Sequence, residues 1–248
     1  MKPKSDYHRT SWLLAARLNA FTFAFVLLAL PLRAQTNYLI PLRPDGVALL
    51  PPPPAAGSVE EAADLAEAQA VFHARTPAEL ERATKDSSLA FSLFRKAIGP
   101  MFDLNKLPKT DFLMQQVKKE IQTTINLPKD FYKRKRPYQL DDTLNLGKPE
   151  PSFSYPSGHS TRGTVYAMVL AELFPEKKDA ILQIGRNIGW DRVLIGKHFP
   201  TDIYAGRVLG QAIVHELLAS KNFQHDLTAA KEEIAAARSS PALLESVK

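Results

Sequence analysis

Residues Asp191-Arg-Val-Leu-Ile-Gly-Lys-His-Phe-Pro-Thr-Asp202 lead directly into a helix that we predict over 200–219. Pro200 suits the first turn of that helix, where its missing N–H group costs nothing. The neighbouring segments predict helices near 160–173, 176–189 and 223–237. No alternating pattern typical of β-strands and no fixed-period repeat occurs in the sequence. The sequence therefore predicts an all-α fold.

The preceding part of the chain carries helix signals of its own. Ser58 with Glu61 forms a capping box before an alanine-rich helix, and Thr76-Pro-Ala-Glu79 repeats that signature. We predict further helices over Ser88–Ile98, ended by Gly99-Pro100, and over Thr110–Ile125, with a new one beginning near Pro128. The domain prediction is an extended proline-rich segment at 35–57, one helical domain at 58–238 and a short tail at 239–248.

Charge and composition limit the classes of function. The chain has 248 residues, 45% of them hydrophobic, no cysteine and a formal net charge of +6. The absence of cysteine excludes disulfides, thiolate metal sites and a cysteine nucleophile. The positive charge first suggests an anionic partner such as nucleic acid, anionic lipid or a phosphorylated substrate.

Much of that charge lies in the first 34 residues. They contain five of the 32 basic residues and one of the 26 acidic residues, and four of those basic residues precede the apolar run 23–30, which Pro31 ends. This order is typical of a secretory signal peptide, and the apolar run is short for a membrane span. We expect a signal peptide at 1–34 and a periplasmic protein; an uncleaved signal anchor stays open as the alternative.

Three short stretches have the residue types that phosphate chemistry needs. In the first, Lys129-Asp-Phe-Tyr-Lys-Arg-Lys-Arg136-Pro137, the outer two cations are seven residues apart. If helical, they would share one face of the helix, which would end at Pro137. A basic run by itself is more often a solvated surface or a nucleic-acid or membrane patch.

The second stretch is Tyr155-Pro-Ser-Gly-His159, followed by a predicted helix. The free N–H groups at a helix start bind anions readily. Ser157 adds a hydroxyl donor, and His159 can exchange a proton near neutral pH. A simple N-cap turn with a surface histidine is the alternative interpretation.

The third stretch places His198 at a helix entrance, with Asp202 four residues later. Such an acid can accept a hydrogen bond from one ring nitrogen and leave the other as a nucleophile. Asp202 as an ordinary first-turn acid, or both residues as metal ligands, are the alternatives. Three nearby cations, Lys129, Arg136 and Arg192, would repel a divalent metal and attract a phosphate dianion.

Taken together and in this order, the three stretches resemble the signature of the type 2 phosphatidate phosphatase superfamily, which includes vanadium-dependent haloperoxidases. The closer resemblance is to the class A bacterial non-specific acid phosphatases. It is supported by the leader, by residues 49–58 and by Gly196-Lys-His-Phe-Pro-Thr-Asp202, and it covers roughly residues 40 to 240. The resemblance implies a single-domain helical bundle of the acid phosphatase/haloperoxidase type.

The resemblance also implies roles for individual residues. His198 would be the nucleophile that forms a phosphohistidine, His159 the general acid and base, and Asp202 the group that orients His198. The phosphate oxygens would be held by Lys129, Arg136, Ser157, Gly158 and Arg192. No metal or other cofactor is implied, and the remaining histidines are interpreted as surface or packing residues. Where the family usually has serine, this chain has Asp191, which we expect to bond to backbone or to pair with Arg192 and alter affinity or pH profile.

Substrates implied by the resemblance are small phosphomonoesters: nucleotides, sugar phosphates and aryl phosphates. Inorganic phosphate would be the product and vanadate an inhibitor, and no nucleic-acid partner is expected. A membrane lipid phosphatase would need long apolar spans, which the sequence lacks after residue 34. A vanadate-dependent haloperoxidase and a non-enzymatic anion-binding protein also stay open. A homodimer or higher homo-oligomer stays open too, although we expect the apolar face at 89–94 to be core.

Overall fold

The structure is a computed structural model that describes residues 37–41, 43–85 and 88–239. The predicted signal peptide and nearly all of the predicted tail lie outside these residues. Throughout these ranges the regular structure is helical and no strand occurs, which confirms the predicted all-α fold. The helices are α1 (Gly46–Leu49), α2 (Val59–Ala74), α3 (Pro77–Lys85), α4 (Arg95–Ile98), α5 (Pro108–Tyr132), α6 (Pro137–Leu140), α7 (Gly158–Leu173), α8 (Lys178–Leu194), α9 (Pro200–Ala219) and α10 (Lys221–Arg238). None of these helices is long and apolar enough to cross a bilayer.

The two predicted N-terminal caps are present. The Ser58 hydroxyl accepts the Glu61 N–H at 3.1 Å and begins α2, while the Glu61 carboxylate accepts the Gly57 N–H at 2.7 Å. Before α3, Thr76 and Glu79 bond reciprocally, at 2.8 and 3.2 Å. These bonds satisfy donors that a helix start would otherwise leave unpaired.

Two helix predictions were wrong in detail. The segment Ser88–Ile98 forms a 3-10 turn at Phe91–Phe94 followed by the short α4, because Leu89 adopts a positive φ of 53° while Phe91 and Phe94 turn into the core. Pro128 begins no new helix, since α5 runs through it to Tyr132. The prediction of an extended segment at 35–57 also misses the one-turn helix α1.

The core is built around α7, which packs between α8 and α9, with α5 and α10 completing the hydrophobic interior. Small residues allow the backbones to approach closely. A Cβ atom at Gly163 would lie 2.8 Å from the carbonyl oxygen of Gly185, and one at Gly206 would lie 2.6 Å from that of Ser157. Ser160 Oγ adds a bond of 2.7 Å to the carbonyl of Ile203. The first turns of α7 and α9 are therefore held side by side, and they carry two of the three sequence motifs.

Candidate active site

His198 lies in the tight turn between α8 and α9. The N–H groups of Lys197 and His198 both donate to the carbonyl of Arg192, at 2.8 and 3.2 Å. Gly196 allows this turn with a φ of +68°, a conformation that other residues adopt with strain. Phe199 is fully buried and fixes the other end of the turn. The imidazole is consequently held in place with only 1% of its residue surface exposed.

The contacts of His198 define its tautomer. Nδ1 lies 3.2 Å from Asp202 Oδ2, and Nε2 lies 3.2 Å from Arg136 Nη1. Because a guanidinium group only donates, Nε2 must be the accepting nitrogen and the proton must be on Nδ1, facing the carboxylate. Burial, together with the charges of Arg136 and Lys129, lowers the pKa of His198 well below its ordinary value. The ring is therefore neutral, with the lone pair of Nε2 directed toward Arg136.

Asp202 is completely buried in the first turn of α9 and is saturated with donors. Its Oδ2 accepts the Phe199 N–H at 3.0 Å and the Ser154 hydroxyl at 2.5 Å, in addition to His198. Its Oδ1 accepts from Arg134 Nη1 at 2.7 Å. With both oxygens fixed, the carboxylate can hold the imidazole in one orientation.

The structure brings the predicted cations Lys129 and Arg136 together at this histidine. Lys129 Nζ donates to the carbonyl of Phe153 at 2.6 Å, and Arg136 Nη2 reaches the same oxygen at 3.3 Å. Burial and the neighbouring Arg136 lower the pKa of Lys129 to about 7. Both side chains are inside the protein, so neither belongs to a solvated basic patch.

The sequence-based prediction that Lys129 and Arg136 lie on one face of a helix was wrong. Lys129 and Arg136 do not share a helix face, because α5 ends at Tyr132 and Lys133 turns into the left-handed region, with φ 49°. Arg136 follows as the extended residue before α6. Residues before proline are biased toward extended backbone, and in extended chain alternate side chains point the same way. Arg134 and Arg136 are accordingly buried while Lys133 and Lys135 are exposed.

Arg192, near the end of α8, is the third buried cation. Its Nη2 pairs with Glu150 Oε1, whereas its Nε–H is buried with no hydrogen-bond partner among the described residues. Burial lowers the pKa of Arg192, and Glu150 opposes that effect. An arginine with one buried unpaired N–H and one displaceable partner can receive two oxygens of an anion.

The residues Ser157, Gly158 and His159 form the start of α7. Ser157 is the N-cap: its Oγ accepts the Ser160 N–H at 3.3 Å, and a hydroxyl that accepts in this way can also donate. A Cβ atom at Gly158 would lie 3.6 Å from Lys129 Cε, so this backbone adjoins the cations. His159 is half-buried, and its charge is among those that lower the pKa of His198. The predicted site residues therefore lie together.

Sequence reasoning missed several polar residues around this site. Arg134 bridges Asp202 and Asp64, with Nη2 2.7 Å from Asp64 Oδ2, and thereby links α2 to α9. Ser154, Glu150 and Lys197 were also missed; Lys197 Nζ donates to the carbonyl of Lys148 at 2.9 Å. The alternation of basic residues before Pro137 was the one signal that could have identified Arg134. The others come from loops whose course the sequence does not specify.

Asp191 makes a contact that we did not expect. Its carboxylate receives Arg82 of α3, with Nη2 2.7 Å from Oδ1 and Nε 3.1 Å from Oδ1. The carboxylate is thus satisfied from the side of α3, and Arg192 keeps its guanidinium for Glu150. Elsewhere, His73, His215 and His225 are exposed, and His8 lies outside the described residues.

The described part of the chain contains no group of three or more histidine, aspartate or glutamate side chains arranged to hold a metal ion. The polar groups that converge on His198 are mostly cations and N–H or O–H donors. Chemically, this donor set suits an anion with several oxygens.

Comparison with known proteins agrees with this geometry. Residues 120–225 match the model of the PAP2 superfamily. The chain is 32% identical to the non-specific acid phosphatase of Providencia stuartii over 77% of this chain and 81% of that protein. It is 30% identical to the acid phosphatase of Zymomonas mobilis subsp. mobilis, over 79% and 78% of the two chains.

A solved structure is similar as well. It is the crystal structure of the first transmembrane PAP2 type phosphatidylglycerolphosphate phosphatase from Bacillus subtilis, with a TM-score of 0.50 and 26% identity over 66% of this chain and 87% of that one. The similarity to the acid phosphatases extends over most of both chains. The chain therefore belongs to the PAP2 superfamily and, within it, to the non-specific acid phosphatases.

Proposed function

We propose that the chain hydrolyses phosphomonoesters through a covalent phosphohistidine on His198. The observation that carries the proposal is the fixed, neutral imidazole whose Nε2 accepts from Arg136 and whose pKa is lowered by burial and by the charges of Arg136, Lys129 and Arg192. A nucleophile for phosphorus must be unprotonated and must lie beside groups that neutralise the phosphoryl oxygens.

In the first step, Lys129, Arg136 and Arg192 hold the phosphoryl oxygens. The Ser157 hydroxyl and the Gly158 N–H, at the start of α7, contribute further donors. Nε2 of His198 forms a bond to phosphorus as the bond between phosphorus and the ester oxygen breaks. Asp202 stabilises the positive charge that develops on the ring.

His159 supplies the protons in both halves of the reaction. It donates one to the leaving alkoxide, so that the alcohol departs neutral, and it then takes one from a water molecule. That water attacks phosphorus, the bond between phosphorus and Nε2 breaks, and inorganic phosphate and the free histidine result. Protein groups alone balance these steps, and we propose a metal-independent reaction on this basis.

The test compares His198→Ala with His215→Ala, which replaces an exposed histidine of α9, in a p-nitrophenyl phosphate assay. We expect His198→Ala to lose about 10⁴-fold or more in kcat, as loss of a nucleophile generally does, while His215→Ala keeps its activity. Rapid quenching with radiolabelled substrate should give an acid-labile, alkali-stable label on the wild type and on His215→Ala, but not on His198→Ala. Substantial turnover by His198→Ala would disprove the mechanism.

Additives separate this reaction from the two competing functions. We expect hydrolysis to persist in EDTA and to be inhibited by vanadate. Halide oxidation only in the presence of vanadate would instead indicate a haloperoxidase. The absence of both activities would indicate an anion-binding protein.

A lipid phosphate is the second candidate substrate, because the similar solved structure is described as a phosphatidylglycerolphosphate phosphatase. Phe153, whose carbonyl contacts both Lys129 and Arg136, keeps 39% of its surface exposed and could contact an apolar leaving group. A panel of nucleotides, sugar phosphates, aryl phosphates and short-chain phosphatidate would rank the two classes by kcat/KM. From the sequence of residues 1–34, we further propose that the enzyme acts in the periplasm, which cell fractionation would test.

A further inference from the structure

Glu150 belongs to the loop between α6 and α7 and reaches into the site from its rim. Its backbone is fixed by Tyr138, whose hydroxyl accepts the Glu150 N–H at 2.9 Å and lies 3.4 Å from the Glu150 carbonyl. From there the carboxylate contacts Nη2 of Arg192. The side chain of Glu150 is 29% exposed and that of Arg192 only 4%. The partly exposed carboxylate of Glu150 thus contacts the buried guanidinium of Arg192.

The charge of the Glu150 carboxylate also acts on the other cations of the site. Burial lowers the pKa values of Arg136, Arg192 and Lys197. In each case the charge of Glu150 is the largest of the influences that raise the pKa. Glu150 has a smaller effect of the same sign on Lys129. These cations include all three that hold the phosphoryl oxygens in the proposed function.

The fit of Glu150 to Arg192 is incomplete. An arginine can offer Nε–H and one Nη–H together to two oxygens of one anion. Here the contact is at Nη2, and the Nε–H is buried without a partner among the described residues. A phosphoryl group has three terminal oxygens and can fill both positions, whereas a carboxylate tied to the loop fills one.

We propose that Glu150 is an internal substitute for phosphate, which occupies Arg192 in the empty enzyme and must be displaced before a phosphate group can bind. The inference rests on the proposed function, since it assumes that Arg192 holds the phosphoryl group. Glu150 then determines affinity: it keeps the buried cations compensated between turnovers, and it weakens the binding of substrate and of product phosphate. Rapid release of product is the benefit of this competition.

The experiment measures the binding of inorganic phosphate at pH 7, by titration calorimetry and as the inhibition constant against p-nitrophenyl phosphate. The variants are Glu150→Gln, Glu150→Ala and the control Glu176→Gln, which removes the same charge from a surface ion pair with Arg238. Because Glu150 is partly exposed, the competition should be worth less than a fully buried pair. We expect phosphate to bind about 5- to 10-fold more tightly to both Glu150 variants, a range that corresponds to about 1 to 1.4 kcal/mol, and to be unaffected by Glu176→Gln.

A double-mutant cycle makes the assignment specific to Arg192. In an Arg192→Met background, which leaves Glu150 no cation to occupy at this position, the gain from Glu150→Gln should be at least about twofold smaller than in the wild type. Unchanged or weaker phosphate binding in both Glu150 variants, with hydrolysis by the wild type intact, would overturn the inference and leave the proposed function standing. Absence of both hydrolysis and phosphate binding in the wild type would overturn the two together.

Discussion

Arg134 should be the residue on which the stability of the site depends most. Its guanidinium is 3% exposed and lies 2.7 Å from Asp64 Oδ2 and 2.7 Å from Asp202 Oδ1, whose side chains are 5% and 0% exposed. Arg134→Met keeps most of the side-chain length but leaves two buried carboxylates without their cation. Removing one partner of a buried ion pair generally costs about 3–5 kcal/mol, because the remaining charge stays desolvated.

We therefore expect Arg134→Met to lower the free energy of unfolding by about 3–5 kcal/mol. Urea denaturation at pH 7, followed by circular dichroism, would measure it. Lys135→Met, which removes a charge from the exposed neighbouring residue, should change the stability by less than about 0.5 kcal/mol. The double variant Asp64→Asn/Arg134→Met should recover part of the loss, since only one uncompensated carboxylate then remains.

Catalysis gives a second measurement on the same variants. Because Asp202 orients His198, Arg134→Met should lower kcat more than it raises KM, and Arg134→Lys, which can reach only one carboxylate, should recover part of kcat. A loss of stability below about 1 kcal/mol with an unchanged denaturant slope would refute the reasoning, since it would mean that the two carboxylates do not need this cation.

Two further predictions concern the cations and the turn before His198. Burial and Arg136 lower the pKa of Lys129 to about 7, and a bound anion should raise this pKa again. Sulfate binding at pH 8 should therefore take up close to one proton, which is measured as a binding enthalpy that depends on the buffer. The affinity for sulfate should fall as the pH rises above about 7. Equal enthalpies in all buffers would contradict this. Gly196→Ala should destabilise the fold by more than Gly57→Ala, because both positions have positive φ but only a Cβ at Gly196 meets the carbonyl of Leu144. We expect the positive φ alone to cost each variant about 1–3 kcal/mol in unfolding free energy relative to the wild type. The additional loss in Gly196→Ala measures the clash with Leu144, and equal losses in the two variants would show that this clash is relieved at no cost.

Local signals in the sequence predicted much of the fold. The helix predicted over 200–219 agrees with α9, and the stop at Gly99 is confirmed by a glycine with φ 101°. Ser58 and Thr76 begin their helices as predicted. Each of these signals acts within a few residues, through a cap, a proline or a glycine, and so it does not depend on the rest of the structure.

Where the predictions failed, tertiary packing determined the local structure. Pro128 stays inside α5, where its ring is buried and lies beside the position of Gly46, so packing outweighs the lost backbone bond. Leu89 takes a strained φ so that Phe91 and Phe94 can enter the core. No local pattern in the sequence encodes either arrangement.

In the candidate site, too, local contacts could be predicted from the sequence and contacts between distant segments could not. The spacing of His198 and Asp202 predicted their contact, because both belong to one helix entrance. Asp64 and Ser154 reach the network around Asp202 from distant parts of the chain, and a single sequence gives no sign of that approach. Lys129 and Arg136 come together because α5 ends at Tyr132 and Lys133 adopts a left-handed conformation, whereas the sequence spacing predicted a continuous helix.

The close approach of α7 and α9 has a consequence for engineering the enzyme. The backbone of Gly206 adjoins the carbonyl of Ser157, and Ser160 bonds to the carbonyl of Ile203. These contacts between the first turns of α7 and α9, which we call the floor of the site, leave no room for a larger side chain. Libraries that vary this floor should yield mostly misfolded protein. New substrate preferences are better sought in the loop at 147–155, where exposed side chains such as Phe153 can change without moving His198.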